Sequence, residues 1–177
     1  MENDAIEILD SHRIMAVSTL RQDGWPQTTI VGYANEGLTL YFLIFRSSQK
    51  LANIRNDRRV SFAIGGDASD LRHATAVYAA AHAVEITDAK ERAHGWEVLV
   101  SRHPNLEDFN LPDRSRAAMI KAECKHMSVV DYRKGLGHIV EISVGNDETA
   151  KTVETRTEEW GATAVKPGLL GGKKGRG

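Results

Sequence analysis

Residues 13 to 64 hold four β-rich runs broken by tight-turn chemistry, and this close spacing constrains the chain more than any other feature. Arg13 to Leu20 is apolar and β-branched, Gln22-Asp23-Gly24 supplies a turn, and Gln27 to Tyr33 is again β-rich. Asn35-Glu36-Gly37 makes a second turn before Leu38 to Phe45, so the chain opens as an antiparallel meander. Arg59 to Ile64 reads as the next strand, ended by Gly65-Gly66-Asp67. Thr75 to Ile86 is a long strand whose alanines suit a tightly packed wall, and a final block runs from Ala117 to Tyr132 and from His138 to Val144. Many strands at close spacing with few helices favour a sheet that closes on itself, because closure removes exposed edges. The expected fold is mainly β with α: a six-stranded antiparallel split β-barrel with short flanking helices.

Three helices are expected around it. Asn3 can cap a short one carrying Ile6 and Leu9. Ser47-Ser48 precedes Gln49 to Asn56, a capped crossover helix, and Asp88-Ala89-Lys90-Glu91 reads as a capping box opening a helix with Trp96, Leu99 and Val100 on one face. We expect Trp96 to be a packing residue.

At 177 residues the chain suits one domain with one core. Its single cysteine, Cys124, excludes a disulfide scaffold and a zinc site built on several thiolates, which fits a reducing cytoplasm. No apolar run approaches the roughly 20 residues needed to span a bilayer, and the acidic N-terminus does not read as a secretory signal. Residues 166–177 carry Lys166, Lys173, Lys174 and Arg176 with no acid, leaving 19 basic against 24 acidic residues elsewhere. A mildly acidic body argues against nucleic-acid binding. We read residues 1–150 as the barrel domain and 151–177 as a Gly/Lys-rich C-terminal extension, flexible at its end.

Five ordered pieces of sequence carry a resemblance. Met15 to Leu20, Asp23-Gly24-Trp25-Pro26, Leu40-Tyr41-Phe42, Ser48 to Ile54 and Arg59-Val60-Ser61 resemble the pyridoxamine 5'-phosphate oxidase family in order and spacing, and Asp131-Tyr132-Arg133-Lys134-Gly135 looks like its last barrel strand. The resemblance implies an FMN-binding split barrel, a homodimer with flavin held at the subunit interface, and oxidoreductase chemistry on a small-molecule substrate that the sequence leaves unnamed. A phosphate needs donors and positive charge, and the helix start at Ser47, Ser48, Gln49 and Lys50 offers hydroxyls, free backbone N–H groups and an ammonium. Lys50 and Ser48 are the expected phosphate anchors, with Arg46 a further candidate. By family alignment Thr28, Thr29, Ile30 and Val31 lie along the flavin ring, although only alternate strand residues can face it.

The chain departs from the family pattern where it carries Thr29 in place of an arginine, Ala34 near the place of a lysine that serves substrate phosphate, and Ile44 near the place of a threonine. The expected activity is therefore not vitamin B6 oxidation. Alternatives are a deazaflavin-dependent reductase, whose longer charged coenzyme tail calls for more basic residues, or a non-catalytic flavin or haem binder or stress-related protein. No residue has both a motif and a position that marks it as an acid or base. Six of the histidines are scattered along the chain and no metal site is expected; in an ideal strand Cys124 and His126 would share a face. There is no nucleophile elbow and no glycine-rich phosphate loop in the required context.

Overall fold

The computed structural model describes residues 2–106, 108, 116–145 and the backbone of 150–157. In chain order its elements are α1 (Glu2–Ser11), β1 (Ile14–Leu20), β2 (Pro26–Gly32), β3 (Ala34–Glu36), β4 (Thr39–Phe45), α2 (Gln49–Asn56) and β5 (Arg59–Gly65). β6 (Thr75–Glu85), α3 (Ala89–Arg102), β7 (Ala117–Asp131), β8 (His138–Val144) and β9 (Ala150–Thr157) complete them. The mainly β, antiparallel expectation holds, but the described strands number nine rather than six. A bend at Tyr33 makes β2 and β3 separate elements, and β8 and β9 carry the sheet on beyond β7. The Gly/Lys-rich end read as flexible, residues 166–177, lies outside the described residues.

Strand order is β2-β1-β5-β6-β7-β4-β3, with β8 on β7 and β9 on β8. β7 lies against β6 from Ile120 to Asp131. On its other flank Ala117–Glu123 pair β4, while His126–Val130 pair β8. Between those stretches a bulge leaves Lys125 without a partner, since Ala81 pairs Cys124 and Ala80 pairs His126. The extra residue flips sidedness: Ile120, Ala122 and Cys124 are buried before it, Met127 and Val129 after it. Cys124 therefore points into the core and His126 out of it, correcting the shared face expected for an ideal strand. Among the described residues no group of acids, histidines and cysteine is placed to hold a metal.

The main core joins inward strand residues such as Val17, Phe42, Phe62 and Ile120 to Ile8 and Leu9 of α1 and Leu51 and Ile54 of α2. Each large side chain so buried contributes roughly 1.5–3 kcal/mol relative to exposure. A smaller core seats α3, where Leu99 and the partly buried Trp96 pack with Tyr41, Ala34 and Met119. Gly95 permits that approach, since a Cβ there would stand 3.0 Å from Tyr41 Cδ1. Two of the three expected caps form; Asn3 does not cap α1, since the helix already runs from Glu2 and Asn3 lies within its first turn. Ser48 Oγ accepts from Leu51 N at 3.4 Å, and Asp88 Oδ1 accepts from Lys90 N and Glu91 N at 3.0 and 2.9 Å. The Glu91 carboxylate accepts from Lys121 Nζ instead of returning to the cap. No described helix is long and apolar enough to cross a membrane.

Arg102, ending α3, satisfies the C-terminal carbonyls of α1. Its Nη1 donates to Leu9 O, Asp10 O and His12 O at 3.2, 2.7 and 3.0 Å, and its Nη2 donates to Asp10 Oδ1 at 2.9 Å. Tyr33 Oη donates to Leu9 O at 2.7 Å, joining the β2–β3 bend to the same helix end. Because the lost bonds come from a charged donor, Arg102→Ala should lower stability by about 1.5–3 kcal/mol, read by denaturant unfolding.

Candidate functional site

The change of strand partner at Tyr33 shapes the candidate site. β3 pairs β4 with Ala34 opposite Tyr41 and Asn35 opposite Leu40, whereas β2 turns away to pair β1. β2 and β4 stay neighbours without strand hydrogen bonds, which leaves a seam. The β3–β4 pairing ends at Ala34 opposite Tyr41, so β2 runs beside the far half of β4 without joining its ladder. The seam thus has β2 on one lip and, on the other, the end of β4 running into α2. Thr28, Thr29, Ile30 and Val31 belong to the first lip, and Arg46, Ser47, Ser48, Gln49 and Lys50 to the second.

Pleating divides the β2 residues. Thr28 and Ile30 face outward while Thr29 and Val31 turn inward and are half-buried. Ile30 and Phe45 are 65% and 58% exposed, giving the seam two apolar edges. Thr28 Oγ1 and Ser18 Oγ share a 2.7 Å hydrogen bond, whereas Thr29 Oγ1 is buried with no hydrogen-bond partner among the described residues. A polar chain beneath joins both lips. Asn53 Nδ2 donates to Gln27 Oε1 at 3.2 Å and Thr19 Oγ1 at 3.0 Å, and Gln49 Nε2 donates to Asn53 Oδ1 at 2.9 Å. Asn53 is buried, so this chain fixes the first turn of α2 against the inward face of β2.

At the start of α2 the N–H groups of Gln49 and Lys50 precede the first intrahelical bond and point out of the helix end, where the backbone dipole favours an anion. Lys50 is half-buried, with no ion-pair or hydrogen-bond partner among the described residues, and burial pushes its ammonium pKa down. The neighbouring arginines are committed elsewhere. Arg46 Nη1 and Arg55 Nη2 each lie 2.6 Å from a different oxygen of Glu85 at the end of β6. Burial acts to raise the Glu85 pKa, but the two guanidiniums outweigh it and hold the carboxyl below its ordinary range. Arg59 pairs with Asp57 at 2.6 Å. Sequence reasoning missed Phe45 and Glu85: an aromatic ending a strand looks like core, and Glu85's role depends on a pairing across 39 residues with Arg46.

A curled antiparallel sheet whose long strands change partner, with a short capped helix starting at the resulting seam, defines the split-barrel class. Within that class a family model described as pyridoxamine 5'-phosphate oxidase matches residues 1–131, and the chain belongs to that family. No curated protein sequence matches it. Among solved structures it is similar to a haem-binding protein from Mycobacterium smegmatis (TM-score 0.70, 19% identity, covering 80% of this chain and 57% of that one). The chain therefore spans a little over half of that mycobacterial protein. It is also similar to a Listeria innocua protein named after pyridoxamine 5'-phosphate oxidase (0.61, 19%, 73% and 97%) and to a Mesorhizobium loti FAD-binding protein (0.58, 20%, 72% and 91%). At such identities the likeness is one of fold.

The Glu85 clasp makes a pH-dependent prediction. A carboxyl whose folded pKa lies below its ordinary value near 4.5 contributes stability fully present above that value and lost as pH falls through the folded pKa. The stability gap between wild type and Glu85→Gln should be widest at neutral pH and shrink below about 4.5, as read by urea unfolding across a pH series.

Proposed function

We propose that the chain is an FMN-binding oxidoreductase that holds the flavin in the seam between β2 and the start of α2, with a second copy closing the site. The observation that carries this is Lys50, a half-buried ammonium without an anionic partner among the described residues, beside the free N–H groups of a capped helix start. An uncompensated cation in a partly desolvated place is costly, and an anionic ligand removes the cost. Ser47, Ser48, Gln49 and Lys50 would hold the phosphate. Thr28 to Val31 would lie along the ring, with the unsatisfied Thr29 hydroxyl aimed at a polar ring atom and the Ile30 and Phe45 edges excluding water. Bound there, FMN supplies hydride or electron transfer, and the protein supplies position and selectivity.

The substrate, in this reading, is not a vitamin B6 phosphate, since Ala34 stands near the place of the lysine that would receive one. Cys124 takes no part. Burial pushes its thiol up to about 12, so it stays a protonated core residue, as suits a cytoplasmic protein. A second reading, haem in place of flavin, is favoured by the haem-binding description of the mycobacterial structure and by His126, which is exposed on the outer face of β7.

The absorbance spectrum of the purified protein separates these readings: flavin bands support the first and a Soret band the second, whereas a colourless protein that ignores added FMN removes the first. In a fluorescence titration Lys50→Ala should weaken FMN at least tenfold, for a lost charge-assisted contact of roughly 1.5–3 kcal/mol. Thr29→Val should act in two directions. Removing an unsatisfied buried hydroxyl should hold or raise the melting temperature of the flavin-free chain, while FMN affinity falls. Unchanged affinity in both variants would take the phosphate and ring out of this seam.

A further inference from the structure

β2 pairs on one flank only. Its register with β1 runs from Pro26 to Gly32, whereas it has no strand bonds to β4, so the width of the seam is set by what holds the two ends of β2. At the Pro26 end the Gln27–Asn53–Gln49 chain ties it to α2. At the other end stands Tyr33, whose N–H donates to Arg13 O at 3.1 Å and whose carbonyl lies 2.8 Å from His103 Nε2. A carbonyl only accepts, so that nitrogen carries the proton. The imidazole also lies over Gly32, the last residue of β2, where a Cβ would stand 3.7 Å from His103 Cε1.

The aim of this ring is built into the end of α3. Proline disfavours helical backbone at the residue before it, and His103, preceding Pro104, leaves the helix at φ −127° and ψ 71°. Its N–H donates to Leu99 O at 2.8 Å and its carbonyl accepts from Leu106 N at 2.9 Å, so its backbone is held on both sides. The preceding residue, Arg102, is bound to the end of α1. The imidazole is thus a donor fixed on a braced helix end and aimed at the residue where β2 gives way to β3. Tyr33 is fully buried, and without that donor its carbonyl would be left desolvated. The peptide between Tyr33 and Ala34 would turn to find another partner, and the end of β2 would move with it.

We infer that His103 is a positioning residue of the proposed flavin site: through the Tyr33 carbonyl it sets how far the ring-lining stretch of β2 stands from the α2 lip. The inference rests on the flavin reading above. His103 meets β2 at Gly32 and Tyr33, beyond Thr28 to Val31, so it acts through the strand and not on the ligand.

Fluorescence titration of the full chain with FMN tests this, beside thermal melts without ligand. His103→Ala should raise the FMN dissociation constant roughly fivefold or more, for one lost hydrogen bond to a buried carbonyl. His103→Gln, whose side-chain amide N–H can take the place of Nε2–H, should bring it back to within about twofold of wild type. His103→Asn carries the same amide one carbon shorter and should behave as the alanine variant does, so the Gln–Asn pair carries the test if the alanine variant does not fold. Arg102→Ala separates position from stability: it loses the bonds to α1, yet should keep FMN affinity within about twofold of wild type. The visible circular dichroism of bound FMN, which reads the surroundings of the ring, should change in His103→Asn and not in Arg102→Ala. Wild-type affinity in the alanine and asparagine variants, no recovery with glutamine, or an equal loss in Arg102→Ala would overturn the positioning role and leave the flavin reading standing. A wild-type chain that does not bind FMN would overturn both.

Discussion

β7 is 15 residues long, while β4 and β8 are seven each, so one flank of β7 is divided between two partners. The division falls at Lys125, between the stretch paired with β4 and the stretch paired with β8. A bulge there bends and twists the strand, letting β8 depart from the line of β4 while Val140, Ile142 and Val144 still reach the core. The β2–β3 segment follows the same logic. It bonds β1 before Tyr33 and β4 after it, and Tyr33 is held by its hydroxyl's bond to Leu9 O of α1 and by His103 Nε2 at 2.8 Å from its carbonyl. Both changes of partner interrupt a ladder that would otherwise continue, and the one at Tyr33 opens the seam.

That dependence explains what could be read from sequence. The main strands and helices of the described chain stand close to where turn chemistry and capping residues set them, because those signals act over a few residues. Ser48 and Asp88 cap their helices for a reason written in their own side chains. Trp96 packs under α3 as its helical spacing implies. The bulge carries no local mark, however: Lys125 is one charged residue in a β-rich run, and only the pairing of β7 with β6 shows it to be extra. A one-residue slip reverses every later side chain, and so Cys124 and His126 part company.

The site was half legible in the same sense. Its residues could be named along the chain, but the departure of β2 from β4 depends on the change of strand partner at Tyr33. The sequence also offers four arginines near α2, Arg46, Arg55, Arg58 and Arg59, without saying which are neutralised. Glu85 settles two of them at once by using both carboxylate oxygens, and Asp57 takes Arg59. Two guanidiniums on one mostly buried carboxylate also brace the lip, since Arg46 precedes α2 and Arg55 lies in its last turn.

The departures from the family pattern have structural reasons that bear on which ligand the seam suits. Ala34 is buried against Tyr41 and Leu99 beneath α3, where a lysine ammonium would be desolvated within an apolar cluster. Thr29 faces inward beside the Gln27–Asn53 chain, where a long cationic side chain would displace a packed polar network. With Arg46 and Arg55 tied to Glu85, Lys50 carries the positive charge of the α2 start without a partner among the described residues. One ammonium and a helix start match a single phosphate. The diphosphate of FAD, or the longer charged tail of a deazaflavin, would bring more negative charge than this lip offsets. In our reading the charge inventory of the seam therefore favours the mononucleotide, and it does so from the monomer's own residues before any contribution from a second copy.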